Sequence, residues 1–268
     1  MKYFGKVYMG VVFALMFLPI IVMIVFSFNA TKSTSIFGGF SFMWYEEMVY
    51  DSMAMEALKN TIILALSTTA VATVLGTVAA LGIYRIRRKW LKTAMLTVTN
   101  IPMMNPEIVM GVSLMFLFAF VGNLLGLVET LGFWTMLISH VTFCLPYVVL
   151  NVLPKLTQLD PHLVEAAQDL GSTPVQAFFK VTLPSIASGI TSGALMAFTL
   201  SLDDFVISHY TSGGFTTLPV YIYTMTKKRV TPEAYAIFTC IFLLALVLLV
   251  VKNLMQLKAD MKKQKDFK

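Results

Sequence analysis

Six long apolar blocks alternate with shorter polar segments along the chain. The blocks cover about residues 7–28, 61–84, 94–121, 131–153, 185–208 and 233–251. Each is long enough for a helix to cross the hydrocarbon core of a bilayer, which is ~30 Å thick. Pro102 and Pro106 lie inside the third block, so this helix is expected to be kinked or locally unwound. The pattern predicts an all-α membrane protein in which residues 1–268 form one domain with six transmembrane helices.

The first block has the layout of a secretory signal peptide, because a short basic stretch precedes it. It is longer than a typical signal-peptide core, and Phe28 stands where cleavage near Ala30 would require a small residue. We therefore interpret the block as an uncleaved first span. The acidic segment 29–58, with Trp44 and Tyr45, is typical of an external segment that contains an interfacial helix.

The positions of lysine and arginine indicate the orientation of the six helices. If both chain ends are cytoplasmic, five of the 20 basic residues fall outside: Lys32, Lys59, Lys227, Lys228 and Arg229. Basic residues concentrate on the cytoplasmic side of membrane proteins, so this bias predicts that both termini lie inside. The cluster at 227–229 goes against the rule. The net charge of +6 is therefore an orientation signal and requires no nucleic-acid partner.

Composition excludes a soluble protein, and the motifs give no support to an enzyme. Hydrophobic residues make up 57% of the chain and charged residues 13%, which leaves no room for a soluble domain of ordinary size. The sequence contains no Walker-type phosphate loop, no GxSxG motif and no HExxH motif. Cys144 and Cys240 both lie in apolar blocks and have no metal-ligand spacing. We expect no catalytic residue, metal or cofactor in this chain, and if ATP drives its activity, the ATP and Mg²⁺ must be bound by another subunit.

The longest polar interruption in the second half of the chain covers residues 160–184 and has a helix–turn–helix pattern. A capping residue followed by proline begins each helix: Asp160-Pro161 for the first and Thr173-Pro174 for the second. Gly171 separates the two helices, and Leu183-Pro184 is expected to end the second. Gln176 is placed to complete a capping box with Thr173. Two short helices between two apolar spans predict a docking surface in the cytoplasm.

The same residues resemble the EAA loop of ABC importer permeases. Glu165-Ala166-Ala167 is followed at the family's spacing by Gly171 and by Val181-x-Leu183-Pro184, with valine where isoleucine is usual. The resemblance implies that this coupling loop docks on a cytoplasmic ATPase subunit through Glu165, Ala166, Ala167, Gly171, Leu183 and Pro184. The alternative is an ordinary amphipathic cytoplasmic loop.

Three acidic residues lie inside apolar blocks, where an ionisable side chain is costly unless it is paired or hydrated. Asp203 and Asp204 fall about 18 residues into the fifth block, ~27 Å from its cytoplasmic end, and Glu107 lies about 20 Å from the inner side of the third. No Lys or Arg occurs at these depths, so unpaired acids that face a water-filled path would suit a cationic solute. Alternatively, the aspartates mark the polar end of the fifth span, and Glu107 is protonated or pairs with a partner subunit.

Ser201, Trp44 and His140 each have a structural and a functional interpretation. Ser201 lies one turn before Asp204 and is either an extra hydrogen-bond donor or a small packing residue. Trp44, with Tyr45, would hold an ammonium group by cation–π contact, although such residues more often belong to the interfacial aromatic belt. His140 is expected to be a core histidine with satisfied hydrogen bonds.

The chain also resembles the spermidine/putrescine permease subunits of ABC importers, along its whole length and most densely after residue 154. The resemblance is carried by residues 201–208, 213–214, 216–223 and 230–233. It implies that Trp44, Glu107, Ser201, Asp203 and Asp204 contribute to the passage of polyamines. It further implies a multi-pass protein of the bacterial inner membrane with four kinds of partner: a periplasmic polyamine-binding protein, a second and non-identical permease subunit, two ATPase subunits, and membrane lipid.

Two other interpretations stay open on the sequence. An ABC permease for another small cationic or amino-acid-like solute would have the same coupling loop. A gradient-driven secondary cation transporter would have the same acids in its spans, but it would have no ATPase on which such a loop could dock.

Overall fold

The computed structural model describes residues 2–33, 36–228, 234–240, 242–243, 246–247 and 250. Within these residues every regular element is a helix, and one isolated bridge pairs Asn29 with Phe40. The named helices are α1 (Lys2–Phe26), α2 (Met43–Tyr50), α3 (Ser52–Arg85), α4 (Lys89–Met104), α5 (Glu107–Leu124), α6 (Phe133–Gln158), α7 (Pro161–Asp169), α8 (Pro174–Ala177), α9 (Leu183–Asp203), α10 (Val206–Thr211) and α11 (Leu218–Lys228). A π-helical turn, Phe178–Thr182, joins α8 to α9.

Five helical segments are long and apolar enough to cross a membrane: Gly5–Phe26, Ser52–Arg85, Glu107–Leu124, Phe133–Gln158 and Pro174–Asp203. The expected all-α membrane fold is therefore confirmed. Of the predicted sixth span, residues 234–240 are helical, and much of the rest lies outside the described residues. The count of six spans and the inward orientation of both ends stay predictions.

The third apolar block forms two helices rather than one kinked span. The helix α4 ends at Met104, Asn105 is extended with φ −80° and ψ 141°, and α5 begins at Glu107. Asn105 precedes Pro106, and the proline ring disfavours helical backbone at the residue before it. The expected local unwinding is thus a complete break, and it places Glu107 in the first turn of a new helix.

The prediction that Leu183-Pro184 ends the second short helix of residues 160–184 is wrong. The helix continues from Pro174 through the π-helical turn to Asp203. A proline ring normally clashes with the carbonyl group four residues earlier, and proline has no N–H to donate. Just before it, the N–H of Leu183 reaches back to the carbonyl oxygen of Phe178, five residues away, so the turn is wider there. The wider turn accommodates Pro184 in the first turn of α9 without a break.

The chain divides into two compact units, Met1–Glu56 with Tyr221–Lys268, and Ala57–Val220, and each is described by itself. In the first unit the loop after α1 folds around the buried side chain of Asn29. The Asn29 amide nitrogen donates to the carbonyl oxygens of Ser33 and Ile36, both at 2.8 Å. Its amide oxygen accepts the N–H of Gly38 at 2.8 Å. One side chain thus fixes the path of this loop.

In the second unit α6 is largely buried, and α9 packs against it at close range. A Cβ built at Gly189 would lie 2.7 Å from the carbonyl oxygen of Asn151, and one built at Gly193 would lie 3.1 Å from the Cα of Val148. Larger residues at these two positions would push the helices apart, because the obstructing atoms belong to the α6 backbone. The close approach fixes α9 against α6 between the coupling loop and the two aspartates.

Candidate functional site

The coupling loop, residues 160–184, begins and turns at the residues that the sequence indicated. The Asp160 carboxylate accepts the N–H of His162 at 3.0 Å, and Pro161 occupies the first position of α7. The helix ends in a Schellman arrangement, in which the N–H of Ser172 donates to Ala167 at 3.0 Å and that of Gly171 to Gln168 at 2.9 Å. Gly171 has φ +86°, with no atom within 4 Å of a built Cβ. Glycine is required there by backbone conformation alone.

The second coupling helix has the expected reciprocal capping box. The Thr173 hydroxyl accepts the N–H of Gln176 at 3.3 Å, and the Gln176 side chain accepts the N–H of Thr173 at 3.1 Å. Two backbone donors at the start of α8 are therefore satisfied within four residues. The turn between α7 and α8 is fixed by local hydrogen bonds.

The coupling loop exposes large apolar side chains. Leu163, Leu170, Val175 and Phe179 are 50%, 88%, 66% and 60% exposed, respectively. Of the residues expected to meet an ATPase, Glu165, Ala166, Gly171 and Pro184 are exposed, while Ala167 and Leu183 are half-buried. Exposed apolar side chains held on a rigid turn provide the kind of surface that a second protein covers.

Glu165 is paired with a histidine within α7. The Glu165 carboxylate lies 3.0 Å from Nδ1 of His162, one helical turn away. This hydrogen bond, with the negative charges of Asp160 and Glu165, raises the pKa of His162 above its ordinary value. The pair is exposed, so it contributes little to stability and places a titratable charge on the surface of α7.

At the other end of α9 the two consecutive aspartates have opposite environments. Asp203 is the last residue of α9 and is exposed, whereas Asp204 is 7% exposed. The Asp204 carboxylate accepts the N–H of Ser208 at 2.8 Å and that of Ile207 at 3.3 Å. It therefore satisfies donors at the start of α10, where the chain resumes helical backbone after the extended Asp204.

His140 of α6 completes a buried polar network around Asp204. Its Nε2 atom lies 3.4 Å from the Asp204 carboxylate and 3.0 Å from the Ser208 hydroxyl, and its Nδ1 atom lies 2.8 Å from the Ser201 hydroxyl. His140, Ser201 and Ser208 are all 2% exposed or less. The expectation of a satisfied core histidine is confirmed. The expectation that both aspartates are unpaired is wrong for Asp204, since a partner from another helix reaches it.

Glu107 lies close to this region through the packing of α5 on α10. Gly111, one turn after Glu107 on the same face of α5, would place a Cβ 3.4 Å from the Cα of Ile207 and 3.1 Å from the ring of Tyr210. Glu107 is exposed, and its carboxylate interacts electrostatically with that of Asp203. The structure thus brings Glu107, Asp203 and Asp204, here called the acid cluster, to one end of α9, although 96 residues of sequence separate Glu107 from Asp203.

Trp44 lies in the first unit, in α2, and is 3% exposed. Its indole N–H donates to the carbonyl oxygen of Asn29 at 2.6 Å. The ring therefore packs within the protein in this conformation, next to the loop that Asn29 organises. Its predicted contact with a passing solute stays a prediction and would require the ring to leave this position.

Comparison with known proteins identifies the family of the chain. Residues 72–259 match the model of the binding-protein-dependent transport system inner membrane component. The match covers more than half of the sequence. The chain belongs to this family of transport permeases. It is accordingly a multi-pass protein of the bacterial inner membrane and a non-catalytic subunit of an ABC importer. Permeases of this family work with an ATPase and a substrate-binding protein.

Curated relatives place the permease more closely. It is 38% identical over 252 residues to the spermidine/putrescine transport system permease protein PotC of Haemophilus influenzae, covering 94% of this chain and 95% of the relative. It is 36% identical to PotC of Escherichia coli, with coverages of 92% and 91%. The putrescine transport system permease protein PotI of Escherichia coli is 36% identical, with coverages of 85% and 82%.

Solved structures support the fold. A bacterial ABC transporter involved in the import of the acidic polysaccharide alginate matches with a TM-score of 0.72 at 14% identity, covering 94% of the permease and 95% of that chain. The inward-facing MetNI methionine ABC transporter matches with a TM-score of 0.56 at 17% identity, with coverages of 76% and 97%. At these identities the likeness concerns the fold alone.

Proposed function

We propose that the permease is one half of a heteromeric channel through which an ATP-driven importer carries polyamines such as spermidine and putrescine. The observation that carries this proposal is 36–38% identity to polyamine permeases over most of the chain. The acid cluster supports it chemically. A polyamine carries several ammonium groups, and carboxylates at the end of a membrane-spanning helix stabilise such charges by charge-assisted hydrogen bonds.

The acids have different roles in this proposal. Asp203 and Glu107 are exposed and meet the ammonium groups of the solute directly. Asp204 already accepts two backbone N–H groups and lies beside His140, so it acts on the path by fixing the backbone that presents Asp203. Ser201 contributes through its bond to His140. Trp44 contributes only when the α2 region opens.

The coupling loop transmits motion from the ATPase. Its exposed apolar side chains dock on the ATPase, and Glu165 lies at the rim of that contact. The Pro174–Asp203 helix then connects the docking surface to the acid cluster without a break over 30 residues, ~45 Å at 1.5 Å per residue. Rotation of the docked loop as the ATPase closes and opens would tilt this helix and expose the path alternately outward and inward.

The complete importer in this proposal has a second, non-identical permease subunit, two ATPase subunits and a periplasmic polyamine-binding protein. ATP and Mg²⁺ are held by the ATPase subunits, and the permease itself holds no cofactor. Membrane lipid covers the apolar outer faces of the spans.

The test is the stimulation of ATPase activity in the reconstituted importer, screened over diamines, triamines and neutral or acidic amino acids. Stimulation by putrescine or spermidine is expected. Stimulation by an amino acid and by no polyamine would show that the importer carries a different solute. Uptake driven by an ion gradient without ATP would overturn the proposal as a whole.

Charge-neutralising variants test the acids. Asp203→Asn and Glu107→Gln should each lower polyamine uptake at least about tenfold, since a charge-assisted contact is worth ~1.5–3 kcal/mol. Glu129→Gln is the matched control, because Glu129 is exposed and lies in the loop that follows the end of α5 opposite to Glu107; α5 itself is about 27 Å long. If all three variants took up polyamines at the rate of the unsubstituted importer, the acid cluster would not contact the solute.

A further inference from the structure

His140 is the side chain that ties the break between α9 and α10 to a third helix. Its ring contacts Ser201 before the break, Asp204 in the break and Ser208 after it, at 2.8, 3.4 and 3.0 Å. All four residues are buried. An imidazole with both nitrogen atoms engaged has a fixed orientation, so its position also fixes the groups it contacts.

The hydrogen bonds are consistent with a directional arrangement. When the Ser201 hydroxyl donates to Nδ1, the ring proton is on Nε2 and points at the Asp204 carboxylate and the Ser208 oxygen. Asp204 in turn holds the N–H groups of Ile207 and Ser208. The chain direction between Asp203 and Val206 therefore depends on a histidine that is 63 residues away from Asp203 in sequence.

We propose that His140 is a positioning residue for polyamine passage, acting through Asp204 so that the carboxylate of Asp203 is presented at the end of α9. This inference rests on the proposed function, in which Asp203 meets the solute. His140 itself is 1% exposed and touches no solute in this arrangement. Its effect on transport is therefore indirect and requires the Asp203 carboxylate.

Two isosteric amides separate the two sides of the ring. Glutamine at position 140 places its amide near the location of Nε2, and asparagine places its amide near that of Nδ1. His140→Gln keeps a donor toward Asp204 and Ser208, whereas His140→Asn keeps only the contact with Ser201. We expect uptake within about twofold of the unsubstituted importer for the glutamine variant and a loss of about five- to tenfold for the asparagine variant.

A double-mutant cycle with Asp203→Asn distinguishes positioning from a general structural role. If His140 acts through Asp204 on Asp203, then adding His140→Asn to the Asp203→Asn variant should change uptake by less than about twofold. A structural role would multiply the two losses. Ser139→Ala is the control, because Ser139 is equally buried and its hydroxyl bonds only to the Thr135 carbonyl oxygen among the contacts described. It should leave uptake unchanged in both backgrounds.

The measurements use the full importer in proteoliposomes, with the amount of assembled complex determined for each variant. If His140→Asn does not assemble, Ser201→Ala replaces it, since it removes the bond that orients Nδ1 without adding bulk; a loss of about two- to threefold is expected, again absent with Asp203→Asn. Multiplying losses, or normal uptake by His140→Asn, would overturn the positioning role alone. Normal uptake by Asp203→Asn would overturn both the proposed contact of Asp203 with the solute and the positioning role of His140.

Discussion

The two ends of the Pro174–Asp203 helix are stabilised in opposite ways. At the coupling loop, the hydrogen bonds that fix Asp160, Gly171 and Thr173 join residues at most five positions apart. At the acid cluster, His140 is bound to residues 61 and 68 positions away, and every partner is buried. The first end is a locally built, exposed surface that a partner can cover. The second is a junction that exists only after α6, α9 and α10 have packed.

The difference predicts where the permease is sensitive to substitution. A change in the coupling loop should impair the response to the ATPase more than it impairs the fold. A change in the buried network should impair the fold first. The four experiments below test this contrast, from the largest expected effect to the smallest.

Asp204→Ala should destabilise the permease by about 2–4 kcal/mol, because it leaves the buried N–H groups of Ile207 and Ser208 without their carboxylate acceptor and removes the carboxylate beside His140. Asp203→Ala should change stability by less than about 0.5 kcal/mol, because Asp203 is exposed. Thermal unfolding of the purified subunit in detergent measures both. Equal shifts for the two neighbours would contradict the contrast between a buried and an exposed aspartate.

Gly171→Val should uncouple transport while the protein still reaches the membrane. A side chain at φ +86° costs about 1–2 kcal/mol per residue, and the strain lies in the turn between the two coupling helices. We expect uptake to fall at least tenfold, measured together with the ATPase rate of the assembled importer.

Gly126→Val is the matched control for this experiment. Gly126 has φ +67° and, like Gly171, no atom within 4 Å of a built Cβ, but it lies in the loop after α5. The two variants should lose similar stability, and Gly126→Val should keep its coupling. Normal uptake by Gly171→Val would show that the turn at Gly171 is not needed to transmit motion from the ATPase.

Thr173→Ala should weaken the start of α8 by about 1 kcal/mol, since the capping box loses its hydroxyl. Amide hydrogen exchange at residues 175–177 should increase, while exchange in α6 stays unchanged. Thr191→Ala is the comparison, because that exposed hydroxyl bonds only to carbonyl groups of its own helix among the contacts described. Faster exchange throughout α6 would show that the coupling loop is not a local structure.

The smallest effect concerns the titration of His162. Its pKa is raised by the hydrogen bond to Glu165, so the pair is stabilising below the ordinary pKa of histidine, and this contribution is lost as pH rises through the raised value. Glu165→Gln should lower the pKa of His162, measured by NMR titration of labelled histidine. Since the side chains of His162 and Glu165 are 81% and 68% exposed, the free energy of unfolding should change little with this substitution. An unchanged pKa would show that the pair does not form in solution.

The coupling loop was predictable from sequence nearly residue by residue. Asp160, Gly171, Thr173 and Gln176 act where the sequence placed them, because caps and left-handed turns depend on neighbours within a few positions. The exception is Pro184, where the π-helical turn removed a clash that would otherwise have ended the helix. Such a widened turn has no reliable sequence signal.

The acid cluster was predictable only as a set of residue types. Asp203, Asp204 and Glu107 are conspicuous because carboxylates are rare in apolar spans. Their environments were not predictable. The break after α9, the burial of Asp204 and the approach of Glu107 through Gly111 all depend on which helices pack together. The partnership of His140 with Asp204 had no local signal, so an aspartate expected to be unpaired is paired.

The sequence by itself determined a helical membrane protein with a capped, glycine-turned polar segment between two apolar spans, because hydrophobic length, helix caps and backbone sterics act over short stretches of chain. The tertiary structure decided which of two adjacent aspartates is exposed and which is buried. That choice depends on a histidine brought from another helix by side-chain packing, which no local pattern specifies.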